Sequence, residues 1–595
     1  MGNIVNRSEV NDVNKWSVND LIADDNLWQS KYSDIEKRLQ EFDCYKNNIN
    51  LDNITELLEL RDEISLVVEQ LYVYANLRAN EDTANTFYQE LSGKADRLAT
   101  LYSQATAFIE PEILSLKNKL NEELNEESIP KYSHYLNEVF RSSKHILSAE
   151  KEGILAAVSE TLSAPSNIFY MLNNADMVFP DAIDKDNKRH TLTHGTYVSN
   201  IESSDRELRK SAFNNMYDTY YKHKNTLTSI YYSSVKNDVF SAKIRNYTSS
   251  LNAALFNYNI PEEVYHNLIA TVNNNLHLMH KYVKIRKNIL KLDDLNMYDI
   301  YTPIVSNTTT KISYEEAKET ILKALAPLGD EYISILTKAL NEEKWVDIYE
   351  NQGKRSGAYS WGAYGCHPYV SMNYKDNLDS MFTLAHEMGH AMHSYYTWET
   401  QPKIYGDYTI FVAEVASTVN EALLMEYLLK NTNDINERKY LLNHFMDQFR
   451  GTLFRQTMFA EFELKTHKMV EQGEALTFDN ICQLYIGLNQ KYYGNDIISN
   501  DKIAWEWARI PHFYTAFYVY QYATGYSAAI TLSKKILENN GAKDYINFLK
   551  GGSSKYSIDL LKDAGVDMTK GDAINNAMAV FEQIINEMEE LTANN

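Results

Sequence analysis

Cysteine is close to missing from this chain. The three present in 595 residues, Cys44, Cys366 and Cys482, lie far apart. They offer no disulfide framework and no paired-cysteine metal spacing, which suits a reducing compartment and sets cysteine chemistry aside. Helix breakers are scarce too, with 10 prolines and 21 glycines, so long helices are expected. Basic residues fall short of acidic ones, 58 against 81, for a formal charge of −23. With no dense Lys/Arg tract to follow a phosphate backbone, nucleic acid is not an expected partner. No apolar run approaches the roughly 18 residues of a membrane span, and the opening MGNIVNRSEVNDVNKW lacks the core of a secretory signal. Gly2 is followed at position 6 by Asn6, where a myristoylation motif needs Ser or Thr. The expected location is cytoplasmic, with no membrane partner.

What is present fits a large folded protein. Hydrophobic residues make up 44% and charged ones 23%, ordinary values for a globular chain long enough for several domains. From about residue 30 to 165, stretches such as NITELLELRDEISLVVEQLYVYANLRA place apolar residues at three- and four-residue spacings, which predicts packed helices. Between about 170 and 200, MVFPDAID and HTLTHGTYVSNI read as short extended segments around KDNK, a hairpin turning at Asp186 and Asn187. Amphipathic helices resume from about 203, with interruptions at Pro261, around Pro303 to Thr310, and before 350. The run GKRSGAYSWGAYGCHPYVSMNYKD, residues 353–376, is a glycine-rich loop ending in PYVSMNY, a strand by composition. That strand is read either as an edge that pairs with a substrate backbone or as a support for the helix after it. Cys366 and His367, just before it, form a lone pair read as structural.

The chemistry concentrates in TLAHEMGHAMHSYY, residues 383–396. His386, Glu387 and His390 form H-E-x-x-H. On a helix the two imidazoles, four residues apart, point into one space and can share a metal ion. Two neutral imidazoles suit zinc, whose catalytic sites take three protein ligands and leave the fourth position to water. Zinc lowers the pKa of water at the site to about 7, and Glu387 is placed to act as general base. By itself the pattern also arises by chance, so its context matters. Gly389 costs about 1 kcal/mol relative to Ala inside a helix, which predicts a close approach to the backbone there. His393 shares the face but lies about 10.5 Å along the axis from His386, too far for one ion without a helix break. It is read as a neighbour.

A third ligand comes more easily from a second helix. GDYTIFVAEVASTVNEALLMEYLLKN begins with Asp407 in an N-cap position and carries Glu414, 24 residues after His390, with Ser417 and Glu421 on the same face. Acidic residues at helical spacing usually form a solvated face. Beside an incomplete H-E-x-x-H site, Glu414 is instead the expected third ligand and Glu421 a candidate to orient one. In IPHFYTAFYVYQY, Tyr514, Tyr518 and Tyr522 at four-residue spacing read as a packing stripe.

GKRSGAYSWGAYGCHPYVSMNYKDN, FTLAHEMGHAMHSYY and YGDYTIFVAEVASTVNEALL together resemble the oligoendopeptidase F family, relatives of thimet oligopeptidase and neurolysin. The likeness extends through DRELRKSAF, NIPEEVYHNLI, WARIPHFYTAFYVYQYATGYSAA and FLKGGSSKYSIDLLKDAGVDM. It implies a mainly α, multi-helix peptidase fold around a deep substrate channel, with a small β element beside the zinc helix. It implies an N-terminal helical domain with a terminal hairpin over 1–200 and a zinc-metallopeptidase catalytic domain over 201–595. It also implies one zinc ion per chain, oligopeptide substrates cut at internal bonds, and support for Glu414 from FVAEVAST. His512 and one or more of Tyr514, Tyr518 and Tyr520 are implied as hydrogen-bond donors to the oxyanion. Thr418 stands at plus four from Glu414, where thermolysin-like enzymes have Asp. A zinc carboxypeptidase or dipeptidyl carboxypeptidase is the neighbouring alternative, and an inactive peptide-binding scaffold is the alternative of another class.

Overall fold

The structure is a computed structural model that describes residues 4–120, 129–305 and 311–593. Gly2 and positions 306–310 of the expected interruption lie outside the described residues. Helix makes up 71% and strand 2%, so the class is mainly α, as the scarcity of breakers predicts. None of the described helices is long and apolar enough to cross a membrane.

The chain folds as two compact units, each drawn from three stretches of sequence. One unit comprises residues 1–144, 310–427 and 532–565, the other 145–309, 428–531 and 566–595. Helical periodicity reports which face is buried but not against which distant segment, so this interleaving is not written in any local pattern.

The first unit starts with the helices Asp25–Arg38, Ile54–Glu81 and Thr86–Thr106. Asp24 caps the first by accepting the Leu27 N–H at 2.8 Å, and their apolar faces bury Trp28, Leu57, Leu71 and Leu98 in one core. Its middle stretch holds a three-stranded sheet of β3 (Val346–Asp347), β4 (Tyr359–Trp361) and β5 (Tyr369–Ser371); β1 (Ala182–Ile183) and β2 (Arg189–His190) belong to the other unit. The order is β3-β5-β4, with β5 parallel to β3 and antiparallel to β4. PYVSMNY is therefore the central strand, and the reading of it as an edge is corrected: its three residues are buried, and the open edges belong to β3 and β4. Strands β4 and β5 pack against the helix Leu378–Thr400, here the histidine helix. The glutamate helix, Ile410–Asn431, follows.

The second unit begins with the helix Ala149–Met171 and the hairpin of β1 (Ala182–Ile183) and β2 (Arg189–His190), whose turn places Asn187 at φ 60°. The expected second strand stops at His190. From His194 to Ile201 the chain is helical because Thr193 caps it, accepting the Thr196 N–H at 3.1 Å. Long helices continue, among them Arg206–Lys222, with Asp205 as cap, and Glu262–Asn274, which starts directly after Pro261. Their core includes a buried charge: Glu506 accepts from Arg455 at 2.8 Å and from the Tyr485 hydroxyl at 2.6 Å.

Candidate metal centre

The histidine helix is started by Asn377, whose side chain accepts the Ser380 N–H at 2.9 Å. Met381, Leu384, Ala385, Met388, Ala391 and Met392 bury one face, which leaves His386 and His390 half-buried on the flank. Gly389 explains how a second helix comes within reach. A Cβ there would stand 2.5 Å from Ser417 Cα and 2.7 Å from the Ala416 carbonyl oxygen, so the two helices touch backbone to backbone. Asn420 fixes their register, donating to the Ala385 carbonyl at 3.1 Å while its own oxygen accepts from the Tyr332 hydroxyl at 3.1 Å. The close approach predicted from Gly389 is thus made by the glutamate helix itself.

Glu414 lies three residues before that contact. Its Oε2 is 3.4 Å from His386 Nε2 and 3.6 Å from His390 Nε2, and the two nitrogens are 3.2 Å apart. Ligands about 2.0–2.1 Å from a tetrahedral ion stand about 3.3 Å from one another. The triangle therefore has the size, and the two imidazoles and one carboxylate have the donor chemistry, of a zinc site with three protein ligands. Among the described residues this is the only group of His, Cys, Asp and Glu side chains placed to share an ion.

Neighbours aim both rings. Glu421, seven residues after Glu414, pairs with His386 Nδ1, which leaves Nε2 its lone pair for a metal. His390 is hydrogen-bonded to the backbone at Ala413. Burial works against protonating His386, yet its bond to Glu421, with Glu387 and Glu414 close by, pushes it up to about 9. Burial, with His386 adjacent, pushes His390 down to about 3. Glu387, 7% exposed, is pushed up to about 7 by burial, which outweighs the attraction of His386 and is reinforced by Glu414. A carboxyl poised near neutrality suits proton transfer in both directions.

His393 is set apart from the triangle, as its axial distance predicts. It is buried, and its ring lies against Tyr408, centroids 3.7 Å apart and 7° from parallel. Asp407 is not the N-cap expected of it: residues 406–409 form no regular element and the helix begins at Ile410. Cys366 and His367 are structural. The thiol meets the Tyr369 hydroxyl at 3.3 Å, and His367 stacks on Trp345 with Asp20 3.2 Å away.

The aromatic segment belongs to the other unit. Tyr514, Tyr518 and Tyr522 do not share one helical face. Tyr514 closes a short 3-10 turn, the chain reverses through Phe517 at φ 56°, Tyr518 lies outside any helix, and a helix starts only at Tyr520. Tyr514 stacks on Phe169 at 4.3 Å and Tyr520 is buried. The rings of His512 and Tyr518 are parallel at 5.9 Å, with Tyr522 edge-on to both. Glu463 holds the reversal by accepting the Phe517 N–H at 3.1 Å. Nothing in the sequence marked Phe517, since a left-handed aromatic residue has no local signature.

A model of peptidase family M3 matches residues 199–580, and one described as Oligopeptidase F matches residues 112–179. Oligopeptidase PepF of Bacillus subtilis is 48% identical over 591 residues, covering 98% of this chain and 88% of that protein. Group B oligopeptidase PepB of Streptococcus agalactiae is 41% identical over 595 residues, covering 99% and 98%. The crystal structure of oligoendopeptidase-F from Enterococcus faecium is 38% identical with a TM-score of 0.73, covering 96% of this chain and 100% of that one. A crystal structure from Chlamydophila abortus, 36% identical, reaches a TM-score of 0.93 over 99% and 100%.

Proposed function

The chain belongs to peptidase family M3 and is a metalloendopeptidase, and on that premise we propose that it is a zinc oligoendopeptidase cutting internal bonds of short peptides in the cytoplasm. The observation that carries the zinc reading is the ligand triangle of His386, His390 and Glu414, with edges of 3.2, 3.4 and 3.6 Å. A zinc ion held there supplies Lewis-acid polarisation of the scissile carbonyl and makes water acidic enough to ionise near neutral pH. Glu387 takes the proton from the attacking water and returns it to the leaving amine. Glu421 holds His386 in the tautomer that offers Nε2.

Donation to the oxyanion by His512 and a neighbouring tyrosine rests on the family resemblance. Of the tyrosines, Tyr518 suits the role best, because Tyr514 is occupied against Phe169 and Tyr520 is buried. Three free cysteines are consistent with the reducing compartment proposed.

Incubation with a peptide blocked at both ends, followed by mass spectrometry, tests the endopeptidase reading against the carboxypeptidase one. Internal cuts in the blocked peptide are expected. Trimming from a free C-terminus, with the blocked peptide left whole, would contradict the reading.

A further inference from the structure

The histidine and glutamate helices are joined by residues 401–409, and this linker is fastened at several points. Trp398 Nε1 donates to the Gly406 carbonyl at 2.8 Å. A Cβ on Gly406 would meet the Tyr364 ring at 2.8 Å, and the hydroxyls of Thr409 and Ser557 are paired. Between Gly406 and Thr409, Tyr408 lies flat on His393. Its hydroxyl shares a hydrogen bond with Ser394 Oγ at 3.0 Å and donates to the His390 carbonyl at 3.5 Å. Tyr408 therefore touches the turn that bears the second histidine ligand, and six residues later the same chain supplies Glu414.

His393 is an unexpected residue for simple packing. It is 1% exposed, and its Nδ1 is buried with no hydrogen-bond partner, a cost that an apolar ring would avoid. Burial, with His390 nearby, also disfavours protonation of the ring.

We propose that His393 and Tyr408 are positioning residues for the metal centre, a ring clasp that fixes Glu414 relative to His390 and so sets how tightly the ion is held. The proposal rests on the zinc reading of the triangle. A residue that orients a metal ligand is worth about 10- to 100-fold in metal affinity, and the clasp acts on the spacing between two ligands at once.

The test is the zinc affinity of the full-length, metal-free protein, measured by competition with a chromophoric chelator beside its thermal unfolding. His393→Ala and Tyr408→Ala are expected to weaken zinc binding by about 10- to 100-fold. Tyr408→Phe, which keeps the stack and loses the hydroxyl, should weaken it a few-fold. His393→Phe, which restores a stacked ring, should recover most of what His393→Ala loses. If the alanine variants bind zinc like the unmutated protein, whatever happens to their melting, the pair is ordinary packing and the proposal fails. Should the alanine variants not fold, unchanged affinity in Tyr408→Phe overturns it. An unmutated protein that binds no zinc would overturn the zinc reading, and the clasp with it.

Discussion

The two regions that carry the candidate chemistry are built in opposite ways. Around His386, His390 and Glu414 the geometry follows from regular helices. Two candidate ligands sit one turn apart, the third comes from a helix pressed against Gly389, and Asn420 and Glu421 fix register and ring orientation. Around His512 the arrangement follows from a break in regularity, the reversal at Phe517, and the rings that look periodic in sequence face different surroundings. A site set by helix geometry depends on few residues, each with a large effect. A site set by a turn spreads its dependence over packing contacts that differ from one tyrosine to the next.

Separating the ion from the proton transfer within the first region gives the largest expected effects. His390→Ala should lose both the bound metal and hydrolysis, because two remaining ligands leave the site incomplete. Glu387→Gln should keep the metal and lose about 10²- to 10⁴-fold in hydrolysis, the usual weight of a general base. Metal content by mass spectrometry beside initial rates distinguishes the two; hydrolysis at the unmutated rate in Glu387→Gln would refute the mechanism. In the second region the neighbouring tyrosines should diverge. Tyr518→Phe is expected to lower kcat by about 10²-fold, the effect of removing one oxyanion donor, whereas Tyr514→Phe should leave kcat nearly unchanged. Equal effects would erase the contrast between the two residues.

Gly389→Ala should give the smallest change, and it is one of sign. In a free helix Ala gains about 1 kcal/mol over Gly. Here the added carbon meets backbone atoms of Ser417 and Ala416 that cannot swing aside, and overpacking costs about 1–3 kcal/mol. Net destabilisation in thermal unfolding is expected. A stabilised variant would mean that the helices are not held in backbone contact.

What could be read from the sequence follows the same division. That His386 and His390 would face one space was legible because helix geometry fixes where residues four apart point, and that Glu414 would join them because a two-ligand site is incomplete. The demand at Gly389 was legible, although the partner it admits was not. Tyr408 was not legible as a neighbour of His393, since it reaches back from an irregular linker that has no period. Asp407 failed as a cap because that linker is pinned as far as Thr409 before a helix can begin. PYVSMNY was legible as a strand but not as the central one, because a strand's place in a sheet depends on partners distant in sequence. The stripe of Tyr514, Tyr518 and Tyr522 was misread for a related reason. A single left-handed residue, Phe517, cancels the phase on which periodicity relies.

The central claim is that one zinc ion sits between three named side chains. Anomalous diffraction recorded on both sides of the zinc absorption edge, from crystals of the unmutated protein grown without added chelator, tests it most directly. The expected result is a single zinc peak about 2.0–2.2 Å from His386 Nε2, His390 Nε2 and a carboxylate oxygen of Glu414, with Glu421 bonded to His386 and not to the ion. A zinc peak ligated by Glu421 or His393 in place of Glu414, or no zinc peak at the triangle, would contradict it.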